Sequence, residues 1–205
     1  MIIKACLFDM DGVLVDSFEA WYRLFCLTLE HFDRPAISRE EFMQRAWARG
    51  YEKVSKHYFA DQPLQEVAAY YFSHFSDYKQ HLKLIDGVSV VLEQARMLGL
   101  ELAVISNTYV RLVEEFLDGT GLLKYFKTII GGDMVAYGKP APDMVFLACS
   151  KLGIKPDEAL VVGDTKYDIA AARAAGCLAV GYKIAGDVQI DNLQDLLNII
   201  ENKRP

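Results

Sequence analysis

Residues 2–17 read IIKACLFDMDGVLVDS, and this stretch decides the fold. From Ile2 to Phe8 the chain is apolar and β-prone apart from Lys4, and the run stops at two carboxylates, Asp9 and Asp11. A short apolar run without polar alternation is the pattern of a strand buried on both faces of a parallel sheet. Working outward, four later runs have the same character: Glu101–Ile105 (ELAVI), Thr128–Ile130, Ala159–Val162 (ALVV) and Cys177–Val180 (CLAV). Helical patterns lie between them. Val88–Leu98 stops at Gly99, Pro142–Leu152 at Gly153 and Tyr167–Ala175 at Gly176, and a glycine just past a helix supplies the left-handed residue that ends it. Strands alternating with helices predict an α/β fold with a mostly parallel sheet.

The segment that follows the first strand breaks this rhythm. Residues 17–85 contain no clear strand and read as amphipathic helices at Phe18–His31, Arg39–Ala48 and Gln65–Phe75, with Pro35 and Pro63 at the breaks. Ser38 followed by Glu41 has the form of a capping box. Tyr70, Tyr71, Phe72 and Phe75 have helical spacing and are expected in the core of this insertion. The expected organisation is therefore a core of residues 1–16 and 86–205 with a small second, helical domain, 17–85, inserted into it. The last residues, Glu201–Pro205, are expected to fray.

Composition narrows the function classes. The chain has 205 residues, 52% apolar and 24% charged, ordinary for a globular protein. Lys and Arg total 22 against 28 Asp and Glu, so the net charge is 22 − 28 = −6. A nucleic-acid binder needs a cationic footprint, and none is expected here. No apolar run has the length of a membrane span. Cys6, Cys26, Cys149 and Cys177 are scattered without CxxC spacing, which argues against a zinc knuckle or a disulfide framework and for a reducing, cytoplasmic setting. The expected assembly is a monomer or a weak homo-oligomer.

In open α/β sheets ligands bind beyond the carboxyl ends of the strands. The first strand is followed by Asp9 and Asp11, the second by Ser106-Asn107, the third, after a loop, by Gly138-Lys139-Pro140, and the fourth by Gly163-Asp164-Thr165 with Asp168 beyond. All four clusters are expected on one edge of the sheet. Any one of them alone has a plainer reading: an aspartate after a strand forms turns or caps a helix, and a loop lysine is solvated. Together they supply carboxylates, a hydroxyl and an ammonium.

Phe8–Ser17 (FDMDGVLVDS), Ile105-Ser106-Asn107, Gly138-Lys139-Pro140-Ala141-Pro142-Asp143 and Gly163-Asp164-Thr165 with Asp168 resemble, in order, the four motifs of the haloacid dehalogenase superfamily. The resemblance covers nearly the whole chain. It points to the phosphatase branch with a helical C1-type cap, the subfamily of phosphoglycolate phosphatases and β-phosphoglucomutases. It implies a Rossmann-like, doubly wound parallel sheet as the core, and a Mg²⁺-dependent phosphatase of a small phosphorylated metabolite that works through an aspartyl-phosphate. Asp9 is then the nucleophile, which splits hydrolysis into two easier steps. Asp11 is the general acid and base. Mg²⁺ prefers oxygen ligands, here Asp9, the Asp11 carbonyl and Asp164, with Asp168 as an outer ligand or as the residue that positions Lys139. Ser106, Asn107 and Lys139 are expected to bind the phosphoryl group, with Ser106 and Lys139 also catalytic.

Within the family, Asp11 favours phosphate chemistry, since the true dehalogenases lack a carboxylate there. Inorganic pyrophosphatase and sugar-phosphate mutase are the alternative activities, and a regulatory or binding module is the non-enzymatic one. The mutases carry a hinge histidine where this chain has Trp21. The phosphonatases use a cap lysine, for which Lys53 and Lys56 are the candidates. Arg45, Arg49 and Lys53 flank Gly50, and Arg45 and Arg49 are the candidate substrate readers on an expected loop. The competing reading of these residues is a basic helix end closed by Gly50. The histidines His31, His57, His74 and His81 lack metal-ligand spacing.

Overall fold

The computed structural model describes residues 2–203, the side chain of Lys79 excepted. The chain divides into two compact units, one made of the residues up to Val15 and from Leu84 onward, the other of Asp16–Lys83.

The first unit is built on six parallel strands: β1 (Ala5–Phe8), β4 (Glu101–Ile105), β5 (Thr128–Ile130), β6 (Ala159–Gly163), β7 (Leu178–Tyr182) and β8 (Val188–Ile190). Two short strands, β2 (Val15–Asp16) and β3 (Lys83–Leu84), form a separate two-stranded sheet where the chain leaves this unit and returns to it. The large sheet has the order β5-β4-β1-β6-β7-β8. Strand β1 is central, level with β4 (Phe8 opposite Val104) and with β6 (Phe8 opposite Val162). The order reverses on either side of β1, and such a switch point opens a crevice at the carboxyl ends of the strands.

Every residue of β1 is buried, which explains its unbroken apolar character. Successive side chains take opposite faces of a strand. Ala5 and Leu7 accordingly join a cluster with Met144, Val145 and Ala148 of α7 (Asp143–Leu152) and with Ile169, Ala171 and Ala172 of α8 (Lys166–Ala175). Helix α5 (Val88–Met97) packs on β4 and α6 (Val110–Gly119) on β5; neither contributes to that cluster. A side chain of Leu or Val size contributes roughly 1.5–3 kcal/mol when fully buried.

Helix α8 ends at Gly176, whose φ of 84° lies in the left-handed region that favours glycine. Helix α6 and the pair formed by β8 and α9 (Asp195–Glu201) are additions to the elements expected from sequence. The first turn of α6 is capped from a distance: the N–H of Val110 donates to Asp133 Oδ1 at 2.8 Å. The expectation of a frayed terminus is corrected. Glu201 closes α9, and the Lys203 carbonyl accepts from the Ile3 N–H at 3.0 Å, while Arg204 and Pro205 lie outside the described residues.

The second unit is helical: α1 (Phe18–His31), α2 (Arg39–Arg45), α3 (Tyr51–Tyr58) and α4 (Leu64–His74), followed by a 3₁₀ segment, Phe75–His81. Ser38 caps α2, its hydroxyl accepting from the Glu41 N–H at 3.1 Å. The core of this unit is aromatic. Phe25 packs on Phe42 and Tyr58 with ring centroids 5.3 and 5.1 Å away, and Trp21 lies 5.5 Å from Phe75. Of the four aromatics expected in this core, Phe75 is buried, whereas Tyr70, Tyr71 and Phe72 are half-buried. Tyr70 is stacked between His31 and His74 at 3.8 and 4.2 Å. Among the described residues, no helix is long and apolar enough to cross a membrane.

Candidate active site

The chain end of each central strand delivers one polar group to the same edge of the sheet. Asp9 follows β1, and its N–H still joins the ladder, donating to the Val162 carbonyl at 2.9 Å. The turn after it is tight: the Met10 carbonyl accepts from Leu14 and Val15 at 3.0 and 3.1 Å. Gly12 occupies that turn with φ 83°, and a Cβ there would stand 2.0 Å from Asp164 Oδ2. Only glycine satisfies both the dihedral and the close approach of this turn to Asp164.

Ser106 follows β4 and is buried. Its N–H donates to the Ile130 carbonyl at 3.0 Å, and its Oγ accepts from the Thr108 N–H at 3.2 Å. A hydroxyl that accepts still has its proton to donate. The neighbouring Asn107 is turned to another task. Its Oδ1 accepts from the Lys139 N–H at 2.8 Å, and its Nδ2 donates to the Lys139 carbonyl at 3.1 Å. The sequence reading made Asn107 a substrate binder; its amide is engaged by the backbone of Lys139.

Lys139 lies on the loop between β5 and α7, yet its ammonium is buried at the end of β1. Nζ donates to Asp9 Oδ1 at 2.7 Å, to Asp168 Oδ1 at 2.6 Å and to the Ile105 carbonyl at 3.0 Å, which uses all three of its donors. Asp168, in the first turn of α8, is fully buried. Its second oxygen accepts from the Thr165 N–H at 3.0 Å and from the Thr165 hydroxyl. Both oxygens of Asp168 therefore meet protein donors, one of them the Lys139 ammonium.

The electrostatics are unbalanced. Among the described residues, the charges acting on Asp9 are those of Asp11, Asp164 and Asp168 and of one cation, Lys139, so with Asp9 itself the formal excess is 4 − 1 = 3 negative charges. Burial first, then the Asp168 charge, push the Asp9 carboxyl well above the usual carboxylate range, against the pull of Lys139. Burial and Asp168 likewise push Asp164 up to about 7. Burial works against the charged form of Lys139, but Asp168 and Asp9 outweigh it and hold the ammonium above its ordinary range.

One oxygen each from Asp9, Asp164 and Asp168 lie within 4.8 Å of one another. Asp164 Oδ1 is buried and has no hydrogen-bond partner among the described residues. A buried carboxylate oxygen without a donor is costly. The orphaned oxygen, the excess of negative charge and an all-oxygen donor set fit a hard divalent cation.

Arg45 and Arg49 belong to the other unit. Both are exposed; Arg45 lies 4.0 Å from Glu41, and Arg49 donates to the Gln44 carbonyl at 2.9 Å. A turn of residues 46–50 does separate α2 from α3 and carries Arg49, while Gly50 is the N-cap of α3, so Lys53 is helical. The reading of Gly50 as a helix C-cap fails for that reason. Trp21 is buried in the aromatic core of that unit, on Tyr71 and Phe75.

Comparison with known proteins yields a consistent set of likenesses. The family model described as haloacid dehalogenase-like hydrolase matches residues 6–182. A phosphoglycolate phosphatase of Chromobacterium violaceum is 33% identical over 218 residues, covering 98% of this chain and 97% of the relative. Phosphoglycolate phosphatase 1 of Pseudomonas aeruginosa is 32% identical over 216 residues, covering 95% of this chain and 78% of the relative. Among solved structures, CbbY from Rhodobacter sphaeroides in complex with phosphate is 25% identical with a TM-score of 0.86, covering 95% of this chain and 96% of that one.

Proposed function

The chain belongs to the haloacid dehalogenase-like hydrolase family, and from that premise we propose that it is a Mg²⁺-dependent phosphatase of a small phosphorylated metabolite, with Asp9 as nucleophile. The observation that carries the reading is the buried assembly at the end of β1. Lys139 is hydrogen-bonded to Asp9 Oδ1 at 2.7 Å, and an Asp164 oxygen at the same site has no donor among the described residues.

Asp9, Asp164 and the main-chain carbonyl of Asp11 would hold the cation. When bound it neutralises the phosphoryl oxygens and the carboxylate excess. The protein's own groups account for the remaining steps. Lys139 fixes Asp9 Oδ1, which leaves Oδ2 to attack phosphorus. The phosphorus–ester oxygen bond breaks as the bond to Asp9 forms. Asp11 gives its proton to the departing alkoxide, then takes one from the water that attacks the aspartyl-phosphate. That second attack breaks the Asp9–phosphorus bond and releases phosphate. Ser106 donates its free hydroxyl proton to a phosphoryl oxygen, and Lys139 neutralises charge on the group in transfer. Asp168, which holds Lys139 from behind, keeps the ammonium charged and aimed. Phosphoryl transfer of this kind is mostly positioning and charge stabilisation.

The test is phosphate release, with Mg²⁺, from a panel of phosphoglycolate, sugar phosphates, nucleotides, phosphonates and pyrophosphate. Phosphoglycolate heads the panel because the relatives above are named for it. Turnover of a phosphomonoester that EDTA abolishes is the expected result. Turnover confined to pyrophosphate, or undiminished after exhaustive chelation, overturns it.

A further inference from the structure

The ammonium of Lys139 is held by three acceptors, but its backbone lies on a loop, and something must fix that loop for the ammonium to arrive. The ties run to one short segment, residues 107–110, that follows β4. The Gly132 N–H donates to the Thr108 carbonyl at 2.9 Å, the Val110 N–H to Asp133 Oδ1 at 2.8 Å, and the Asn107 amide pairs with both the N–H and the carbonyl of Lys139. A primary amide is suited to that pair, because it presents one acceptor and one donor side by side. Aspartate offers two acceptors, and alanine neither group. The packing around the clamp is close: a Cβ at Gly138 would stand 2.5 Å from Asn107 Oδ1. Ser106 is the residue before Asn107, so a single residue joins the hydroxyl on one loop to the ammonium on another.

We propose that Asn107 is a positioning residue whose amide, by clamping the main chain of Lys139, sets the separation of the Lys139 ammonium from the Ser106 hydroxyl. The proposal rests on the reading of these two groups as the ones that meet the transferred phosphoryl. A misplacement of about 1 Å in such a site costs on the order of 10²-fold. Loss of the clamp therefore appears in kcat, because the two groups serve the transition state more than the bound substrate.

The experiment compares Asn107→Ala, Asn107→Asp, Gly138→Ala and the double variant Asn107→Ala/Gly138→Ala. Asn107→Ala should lower kcat roughly 10- to 100-fold and change KM less than threefold. Asn107→Asp keeps the shape but opposes the Lys139 carbonyl with a charged oxygen, so protonation restores the missing donor. Its kcat relative to wild type should rise as pH is lowered from about 8 to 5, whereas the ratio for Asn107→Ala stays flat. Gly138→Ala displaces the amide, so it should lower kcat alone and add nothing in the Asn107→Ala background. A kcat for Asn107→Ala within twofold of wild type, a flat ratio for Asn107→Asp, or multiplying effects in the double variant overturns the proposal. If Asn107→Ala does not fold, the isosteric Asn107→Asp profile decides it. If the wild-type protein releases phosphate from no substrate, the phosphatase reading has failed. The clamp is then judged by hydrogen exchange at the Lys139 amide: exchange at least tenfold faster in Asn107→Ala supports it, and equal exchange overturns it.

Discussion

In the α/β unit the Lys139 ammonium meets Asp9 and Asp168 with side-chain exposures of 5%, 8% and 0%; in the helical unit Arg39 meets Glu19 at 54% and 30%. Both are cation–carboxylate contacts, and they have opposite consequences. At the sheet edge Asp9 and Asp168 share the buried Lys139 ammonium while Asp11 and Asp164 add further negative charge, and burial pushes Asp9 and Asp164 toward their neutral forms. On the helical unit two guanidiniums, Arg39 and Arg23, converge on one carboxylate, and Arg39 above all draws Glu19 down to about 2. The first arrangement resists its own charges; the second welcomes them. Stability built elsewhere in a protein is what sustains such strain at a functional site.

The largest expected effect separates chemistry from stability. Asp9→Asn should remove the nucleophile and lower turnover on the order of 10⁵-fold, the scale of nucleophile deletions. It also removes one of the crowded carboxylates. The sign follows from the pKa: a carboxyl raised in the fold destabilises the folded state whenever it is charged. Metal-free Asp9→Asn should therefore melt at or above the wild-type temperature at pH 7. A calorimetric melting temperature well below wild type would break the contrast between the two units.

Lys139→Met tests the same site from the other side. Removing the ammonium leaves Asp9 Oδ1 and Asp168 Oδ1 without the donor they share, although Thr165 still holds the other Asp168 oxygen, and breaking a buried pair in this way costs about 3–5 kcal/mol. Because the Asp9 carboxyl, already raised by burial, can take up a proton, the loss measured by urea unfolding should be smaller at pH 5 than at pH 8. Equal losses at both pH values would mean that the carboxylates find other partners.

How much of this contrast was legible in the sequence depends on whether the signal was local. Glu101–Ile105 and Thr128–Ile130 are strands with the bounds their apolar character suggests, and Phe18–His31 is a helix end to end, because each carries its pattern within itself. Helix α6 went unread because its first turn is capped by Asp133, 23 residues further on, and Tyr109 before it offers no cap. Helix α3 went unread for a related reason: it starts after Gly50 with no side-chain cap. Its buried positions are Val54 and Ser55, too few for an apolar stripe. At the site, order along the chain was enough to expect Asp9, Asp164, Asp168 and Lys139 on one edge. The division of labour between Ser106 and Asn107 was not readable, because the partner of Asn107 lies 32 residues away. A hydrophobic pattern shows which strands are central; it does not show which of two adjacent polar side chains turns toward a loop.

A divalent cation should act most where the carboxylates repel most. Asp164 is raised to about 7 from its ordinary value near 3.8, by burial first and then by Asp168. A raised carboxyl contributes stability that is present below the unfolded value and is lost as pH rises toward the folded one. The metal-free protein should therefore weaken between about pH 4 and 7, and added Mg²⁺, which needs the deprotonated carboxylate, should offset that loss. At a hundredfold excess over Kd the stabilisation is about 2.7 kcal/mol. Differential scanning fluorimetry at fixed free Mg²⁺ should show a thermal shift that grows from pH 5 to 7 and levels off above. A shift of the same size at pH 5 and pH 8 would separate metal binding from Asp164.

The smallest effect belongs to Glu19→Gln, and its sign is the reverse of Asp9→Asn. Glu19 lies in the first turn of α1, where a negative charge also complements the helix dipole. It is paired with Arg39 and Arg23, and Arg39 in turn stacks 4.7 Å over the ring of Tyr22. Solvent reaches these groups and screens them, so the substitution should cost about 1 kcal/mol or less at pH 7. A carboxyl depressed in the fold contributes stability that is present above its unfolded value, near 4.5, and is lost as pH falls through its folded value, near 2. Urea unfolding of wild type and Glu19→Gln should therefore differ at pH 7 and converge as pH approaches 2. Salt should narrow the gap at pH 7 as well, because exposed pairs are screened within about 10 Å at 0.1 M. The two carboxyls then move in opposite directions under one experiment. Neutralising Glu19 lowers stability slightly, and neutralising Asp9 does not lower it at all. If both substitutions destabilise, the sheet-edge acids are paired better than their burial indicates; if neither does, the ion pairs of the helical unit are idle.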